Sequence, residues 1–428
     1  MNAVLHELNN FLSYIKFNKE EFYENPSIAK IFKKSCNTED INLILNYNYN
    51  NIFKMFSNSF TIRINNSKAN SNVYIKQGFD KQFAKEDIED ILTVYKIADI
   101  EINIDKNKLL DTIVSKELSI EYNIKIFFYQ EAFIKTLRTF SYDSLEEKFF
   151  EKFKKNIILI FNEEIKLNND SLCIIGGFNN EEAKEYLNSI NGHYDFSNYE
   201  IKAKHRNERC NWVECTKWLT PDYFHFDFTI TGCKYTDSIR ECLEQQTVNL
   251  AIPYISNFTS FDGETKYSEI NGHKKIRIIY PSNYEYAAAG TSEYVFKIYD
   301  WVYSNFNTDK LSMLRNTITM FLCEECNNSC YNLLIKKSKE IYESVLVNFD
   351  IYLQENVEKY FDLLHTVREM ISTKSKDITD EINSLIDTMN KSFLTSIGII
   401  AAAMVGYLAK ANIYFIKIVA IIYGDRKS

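Results

Sequence analysis

Apolar residues in the first 58 positions recur at intervals of three and four, which is the spacing of one helix face. The pattern is clearest over residues 5–15. Asn25 and Pro26 interrupt it, and Ser27 is a residue type that caps helices, so the sequence predicts a further helix from Ile28 to Lys34. The chain is therefore expected to begin with helices.

Strand patterns and helix patterns alternate over the rest of the first 198 residues. The strict alternation in Phe60–Ile64 predicts a strand with one buried face. The apolar runs Ile157–Phe161 and Leu172–Ile175 predict strands buried on both faces. Gly176-Gly177 and a predicted helix over 179–190 follow, which is typical of an α/β unit. The other predicted elements are strands at 73–77 and 100–104 and helices at 85–95, 109–120, 133–140 and 145–155.

Residues 199–290 have a different composition, with three of the four prolines and many aromatic residues. Four stretches there are typical of strands, namely Tyr199–Lys204, Tyr223–Thr231, Asn249–Tyr254 and Lys275–Tyr280. The sequence predicts a β-rich region with a mainly antiparallel sheet.

Thr291 to Ile397 contain neither glycine nor proline, so continuous helical structure is expected. Helices are predicted at Ser292–Tyr303 and Asp309–Leu322, and a third begins near Tyr331. Within the third, apolar residues from Ile341 to Phe393 step mostly by three and four, as in a coiled coil. Two interpretations stay open for this third helix, within the helical region 291–390: a core helix packed on the body, or an oligomeric stalk.

The last region, 391–428, contains an apolar tail. Phe393–Ala409 supplies 17 uncharged residues and Ala411–Tyr423 supplies 13 more, interrupted by Lys417. A membrane-spanning helix needs about 20 residues, so the tail predicts either one tilted helix or a short hairpin. Small residues such as Gly398 and Gly406 favour close helix contacts in lipid. The alternative is the buried central helix of a soluble bundle. The predicted lipid-facing residues are Phe393, Ile397, Ile400, Val405, Leu408, Phe415 and Ile418.

The amino-acid composition limits the binding partners and the cellular compartment that we expect. The 428 residues are 45% hydrophobic and 25% charged, with a net charge of −8, so general binding to nucleic acid is not expected. The N-terminal residues lack the pattern of a secretory signal, and the nine cysteines are expected to be reduced. We therefore expect a cytosolic body held at the inner face of a membrane by the C-terminus.

A cluster of thiols is a candidate metal site. Cys323, Cys326 and Cys330 lie within eight residues, and Cys210, Cys215 and His205 lie upstream. Thiolates and imidazoles at such spacings bind zinc. On a continuous helix the three clustered thiols would share one face, where buried cysteine is common. No cofactor is predicted, and zinc remains one alternative.

A carboxylate–lysine element is the candidate catalytic site. Glu200 and Lys202 lie on a predicted strand, and Asp195 precedes them. This resembles metal-dependent nucleases of the PD-(D/E)xK type, which implies magnesium held by Asp195 and Glu200 and a catalytic role for Lys202. Asp195 lies five residues before Glu200, closer than that family places it. The alternative is a solvated strand face. Gly176-Gly177 and His225 are weaker candidates, for which a plain turn and a structural histidine are the preferred interpretations.

Together these patterns predict an α+β protein, with a mixed α/β body, an antiparallel sheet region, a long helical region and a membrane-seeking helix or hairpin. The layout is similar to that of bacterial membrane-acting defence effectors. We expect a non-enzymatic sensor whose body controls a self-associating hydrophobic helix, with lipid and a second copy as partners. A metal-dependent nuclease and a helical scaffold for a partner protein are the alternatives.

Overall fold

The structure is a computed structural model of the 428-residue chain. It describes residues 3–17, 22–66, 71–114, 116–178, 196–263, 265–281, 292–322 and 330–408, with isolated positions at 182, 185, 186, 414, 417, 418 and 421. The chain divides into two compact units, residues 1–348 and residues 349–428. The α+β class predicted from the sequence is confirmed.

The N-terminal part of the body is an antiparallel sheet covered by helices. Five strands lie in the order β1-β2-β5-β3-β4, and every neighbouring pair is antiparallel. Alternate residues of β3 and β5 are buried, so the strand predictions at 60–64 and 100–104 are confirmed. The strands are β1 (Phe22–Glu24), β2 (Ile28–Cys36), β3 (Phe60–Asn66), β4 (Ser71–Lys76) and β5 (Ala98–Asp105), and the helices are α1 (Ala3–Tyr14), α2 (Thr38–Asn46), α3 (Asn50–Phe56) and α4 (Lys81–Tyr95).

The helix predicted over Ile28–Lys34 is wrong, because this stretch forms strand β2. The side-chain oxygen of Asn25 accepts hydrogen bonds from the backbone N–H groups of Ser27 and Ile28, both at 2.9 Å. This turn folds β2 back onto β1. Strand pairing on both edges of β2 outweighs the local helix preference of the sequence.

A second sheet is mainly parallel. Strands β6 (Asn123–Phe127), β7 (Asn156–Ile160) and β9 (Leu172–Gly176) run parallel, and β8 (Lys166–Asn168) pairs antiparallel with β9. Every residue of β7 and β9 is buried, as predicted for a sheet covered on both faces. The associated helices are α5 (Lys106–Ile113), α6 (Lys116–Glu121) and α7 (Gln130–Thr139), followed by a turn of α-helix at Tyr142–Ser144 and a π-helix at Leu145–Phe149. The helix predicted to reach residue 155 therefore ends at Phe149.

Residues 199–290 contain less sheet than predicted. Helix α8 (Ser197–Arg209) replaces the strand predicted at 199–204, and helix α9 (Asp237–Ile255) replaces the one at 249–254. Residues 223–231 also form no strand, whereas the strand at 275–280 is confirmed. Helix α9 buries 14 of its 19 residues and nearly all of them after Glu241, so its sequence lacks the amphipathic period that would have indicated a helix. A third sheet has the order β10 (Asn211–Val213), β11 (Phe258–Ser260), β12 (Tyr267–Asn271) and β13 (Lys275–Ile279).

The helical region is confirmed where the structure describes it. Helices α10 (Ser292–Tyr303) and α11 (Thr308–Phe321) precede α12, which runs without interruption from Cys330 to Leu408. The first turns of α12 belong to the core of the body, where Ile341 and Val345 are fully buried beside residues of α9, α10 and α11. From residue 346 to residue 407 no residue is buried.

Candidate functional site

The C-terminal part of α12 is the leading candidate site. We call residues 393–408 the apolar segment, because none of them is charged. Helix α12 is long enough and apolar enough to cross a membrane by length and composition, with a mean hydropathy of 1.3 over its most apolar window. None of that window is buried. A soluble core helix of the same composition would be mostly covered by other elements.

The residues predicted to face lipid are exposed. Phe393, Ile397, Ile400 and Val405 have 67%, 46%, 58% and 66% of their surface accessible. The buried central helix of a soluble bundle is therefore not the arrangement seen at residues 393–407. Leu408 is the last residue of α12, Ile418 is 52% exposed, and Phe415 lies outside the described residues.

Small residues follow one face of the apolar segment. Gly398, Ala402 and Gly406 are four residues apart, so they lie above one another on the helix. A Cβ atom added at Gly398 would meet no atom within 4 Å. Packing inside the chain therefore does not require glycine at this position, whereas close approach of a second helix in lipid would.

An exposed apolar seam precedes the apolar segment on the same helix. Ile378, Ile382, Leu385 and Met389 step by three and four and are 56%, 50%, 63% and 70% exposed. Nothing in the described chain covers them. The seam has the spacing that a helix uses to pack on a second helix.

The candidate catalytic residues do not converge. Glu200 and Lys202 lie on helix α8 and not on a strand, so their side chains point about 200° apart. Glu200 is exposed and its carboxylate lies 2.8 Å from the Lys152 ammonium. Asp195 lies outside the described residues. The strand that would carry the nuclease motif is therefore absent at Glu200 and Lys202.

Lys202 instead belongs to a partly buried ion cluster that the sequence did not reveal, in which the Asp300 side chain is 46% exposed. Its ammonium lies 2.7 Å from a carboxylate oxygen of Asp222 and 3.1 Å from one of Asp300. The Tyr299 hydroxyl donates to the other oxygen of Asp222 at 2.5 Å. Burial disfavours the charge on Lys202, but the two carboxylates outweigh it and raise the pKa of Lys202. The cluster joins α8, the Pro221–Tyr223 turn and α10, which are distant in sequence.

A fully buried ion pair connects the first sheet to the second sheet. The Lys106 ammonium lies 2.6 Å from the Glu24 carboxylate, and both side chains are 1% exposed. Glu24 also accepts hydrogen bonds from the backbone N–H groups of Phe128 and Tyr129. Burial lowers the pKa of Lys106 to about 8, although Glu24 opposes this effect. With every partner supplied by the protein, the pair is best explained as a structural connection between β1, α5 and the end of β6.

The cysteines do not form a metal site among the described residues. Cys330 is disulfide-bonded, contrary to the expectation of reduced thiols, and Cys323 and Cys326 lie outside the described residues. Cys210 and Cys215 are buried, and burial raises the pKa of Cys215 to about 12. No group of three or more His, Cys, Asp and Glu side chains in the described part of the chain could hold a metal ion.

The two weaker candidates have structural explanations. The Gly176 N–H donates to the Ile165 carbonyl at 2.7 Å, and a Cβ at Gly176 would lie 2.2 Å from the Glu163 carbonyl oxygen. The turn is therefore filled by the chain itself and leaves no room for phosphate. The ring of His225 stacks on Phe296 with 3.6 Å between centroids, and burial lowers the pKa of His225.

Comparison with known proteins does not assign the chain to a family. No family model, curated protein or solved structure matches the chain.

Proposed function

We propose that this protein is a membrane-associated effector. Residues 1–348 form the body, and the apolar segment of α12 enters a bilayer at its cytosolic face, where copies of the chain associate. The observation that carries the proposal is the complete exposure of an uncharged helical segment. Exposed apolar surface costs about 25 cal/mol per Å² in water, so a lipid or protein partner stabilises it.

The apolar side chains of the apolar segment supply only a small free-energy gain for insertion into a bilayer. The apolar segment holds seven Leu, Ile, Phe and Val residues. At about 0.3–0.6 kcal/mol each near the centre of a bilayer, they contribute roughly 2–4 kcal/mol in favour of insertion. Lys410 and Lys417 follow in the sequence and would have to reach the interface along their own side chains. Self-association through the face formed by Gly398, Ala402 and Gly406 would add to this modest gain.

The continuity of α12 supports control of the tail by the body. The helix begins among buried residues, including Leu334 and Ile341, and reaches the apolar segment without a break. A change in the packing of its first turns would therefore act on the same helix that carries the apolar segment. This supports a sensor role for residues 1–348.

Vesicle flotation tests the proposal. The full-length chain and a chain lacking residues 391–428 are mixed with phospholipid vesicles and centrifuged through a density gradient. We expect the full-length protein to float with the vesicles and the truncated protein to stay at the bottom. A full-length chain that stays soluble and monomeric, without detergent or vesicles, would contradict the proposal.

The finer proposal is that association permeabilises the membrane as part of bacterial antiviral defence. It is supported only by the layout of a body and an exposed apolar helix. Release of an enclosed dye from vesicles measures permeabilisation, and phage plaque counts on cells expressing the protein measure defence. Equal plaque counts for the full-length chain and the truncated chain would exclude the defence role.

A second candidate function is a helical scaffold. The exposed seam from Ile378 to Met389 lies before the apolar segment and has the spacing of a helix-pairing surface. Under this proposal a partner protein binds the seam, and the chain lacking residues 391–428 would still bind that partner. Co-purification of one defined partner with both chains, without flotation of either, would favour the scaffold.

A further inference from the structure

One face of α12 carries apolar side chains on both sides of Ile378. An α-helix turns about 100° per residue, so positions about 7, 11, 18 and 25 residues away in either direction lie within about 20° of Ile378. We call the row of residues at these positions, from 353 to 403, the long face. Its large side chains are 41–70% exposed and belong to Leu353, Tyr360, Val367, Ile371, Ile378, Leu385 and Met389.

The sizes of the residues on the long face favour an antiparallel partner helix. Tyr360 and Ser396 are equally far from Ile378 on opposite sides, and so are Leu353 and Ala403. If a second copy packs in the antiparallel direction, with the two Ile378 side chains opposite, each large residue meets a small one. A parallel pair would place Tyr360 against Tyr360 and Ser396 against Ser396, which crowds one level of the interface and leaves a void at another.

Two charged residues beside the long face favour the same direction. Lys374 and Glu381 lie about 40° and 60° from Ile378, on the same side of the helix. Both are exposed, and neither forms an ion pair in the described part of the chain. A parallel pair would bring each of these charges close to its own copy. An antiparallel pair centred on Ile378 brings Lys374 of each copy to Glu381 of the other, and such pairs determine the direction of helix pairing.

The area of the long face is sufficient for a stable dimer. At roughly 100 Å² for each of its seven large side chains, two copies would bury on the order of 1,400 Å². Stable protein interfaces bury about 1,200–2,000 Å². The long face therefore needs no further surface to hold a second copy.

We propose that, away from lipid, a second copy of this chain covers the long face in the antiparallel direction. Residues 393–403 of each copy then lie along residues 353–363 of the other, so the dimer covers much of each apolar segment. Gly398 lies about 160° from Ile378, so the small-residue face stays outside this contact. The masking of the apolar segment rests on the membrane proposal, whereas the dimer itself does not.

Sedimentation equilibrium of the full-length chain tests the dimer. The measurement is made in buffer without detergent or vesicles, where we expect a soluble dimer. A monomer, a larger oligomer or a chain that aggregates would overturn this inference. Vesicle flotation is measured separately, so the dimer and the membrane proposal can fail independently.

Charge reversal tests the direction of the pairing. Lys374→Glu puts two acidic groups together at both ends of the contact, so we expect it to weaken the antiparallel dimer by about tenfold. The double variant Lys374→Glu/Glu381→Lys restores opposite charges and should recover the wild-type dissociation constant. In a parallel dimer, Lys374→Glu would only exchange one like-charged pair for another and would change little.

Lys376→Glu is the matched control for the charge change. Lys376 is exposed on the same helix but lies about 160° from Ile378, away from the long face. We expect this variant to dimerise as the wild type does. Equal dimerisation of Lys374→Glu and Lys376→Glu, or no recovery in the double variant, would overturn the antiparallel assignment.

Discussion

Helices α9 and α12 use apolar residues in opposite ways. In α9, 14 of 19 residues are buried, including Glu244 and Gln246. In α12, no residue from 346 to 407 is buried, although the apolar segment has no charge at all. Helix α9, with its buried polar residues, thus lies inside the body, whereas the uncharged apolar segment of α12 is exposed.

The difference shows that burial follows the partners that the fold supplies. Glu244 pairs with Arg240 at 3.0 Å and Gln246 bonds to Leu137 of α7 and to Tyr142, so α9 buries these two polar side chains with partners. The apolar residues of α12 from residue 346 to residue 407 are not buried by any element of the described chain. Exposed apolar surface of this kind is typical of sites that bind lipid or another protein, which is the basis of the membrane proposal.

The same substitution in the two helices should have very different effects on stability. Leu250→Ala in α9 removes a fully buried side chain and should lower the free energy of unfolding by about 2–5 kcal/mol. Leu385→Ala in α12 changes a side chain that is 63% exposed and should alter it by no more than about 0.5 kcal/mol. Denaturant unfolding followed by tryptophan fluorescence measures both, because Trp212, Trp218 and Trp301 all lie in the body. Equal losses of unfolding free energy in Leu250→Ala and Leu385→Ala would show that Leu385 is covered by other parts of the chain.

A charge in the apolar segment should oppose membrane binding. Ile400→Lys places an ammonium near the middle of the segment, at a cost of about 2.5–3.5 kcal/mol or roughly a hundredfold in partitioning. Ile378→Lys is the matched control, since Ile378 and Ile400 are 56% and 58% exposed but only Ile400 lies in the segment. Flotation should be lost in Ile400→Lys and kept in Ile378→Lys. Loss in both variants would assign binding to general apolar surface and not to the segment.

Bulk on the small-residue face should weaken self-association. Gly398→Ile prevents close approach of two helices, and we expect an effect of about 1 kcal/mol on the dimer in detergent. Ala403→Ile lies about 140° away around the helix and is the matched control. Sedimentation equilibrium measures both variants. A dimer that is weakened equally by the two substitutions would exclude this face as the contact.

The smallest expected effect is a change in how the stability of the body depends on pH. Burial lowers the folded-state pKa of His225 below its ordinary value of 6.5. As the pH falls through 6.5, the unfolded chain takes up a proton that the folded chain resists, so His225 contributes a loss of stability between 6.5 and its folded pKa. His225→Phe keeps a ring on Phe296 and should remove this loss. Unfolding curves of the wild type and of His225→Phe at pH 5 and 7.5 measure this loss. If the difference in unfolding free energy between the two pH values is the same in both proteins, His225 is not its source.

Sequence patterns were most reliable where burial is one-sided. The alternation in β3 and β5 and the uninterrupted helices after residue 291 were predicted because each pattern follows from local geometry. Helix α9 and strand β2 were mispredicted because tertiary partners determine them. The ion cluster of Lys202, Asp222 and Asp300 could not be predicted, since 20 and 98 residues separate Lys202 from its partners.

The sequence by itself determined that a long helix carries an uncharged segment at residues 393–408, because helix formation and hydropathy are properties of neighbouring residues. Only the tertiary structure decided that this segment is exposed while α9 is enclosed. It also placed Glu200 and Lys202 on different sides of a helix, and it brought Asp222 and Asp300 to the Lys202 ammonium. The physical reason is that burial and convergence of side chains depend on contacts between residues far apart in the chain, which no local pattern specifies.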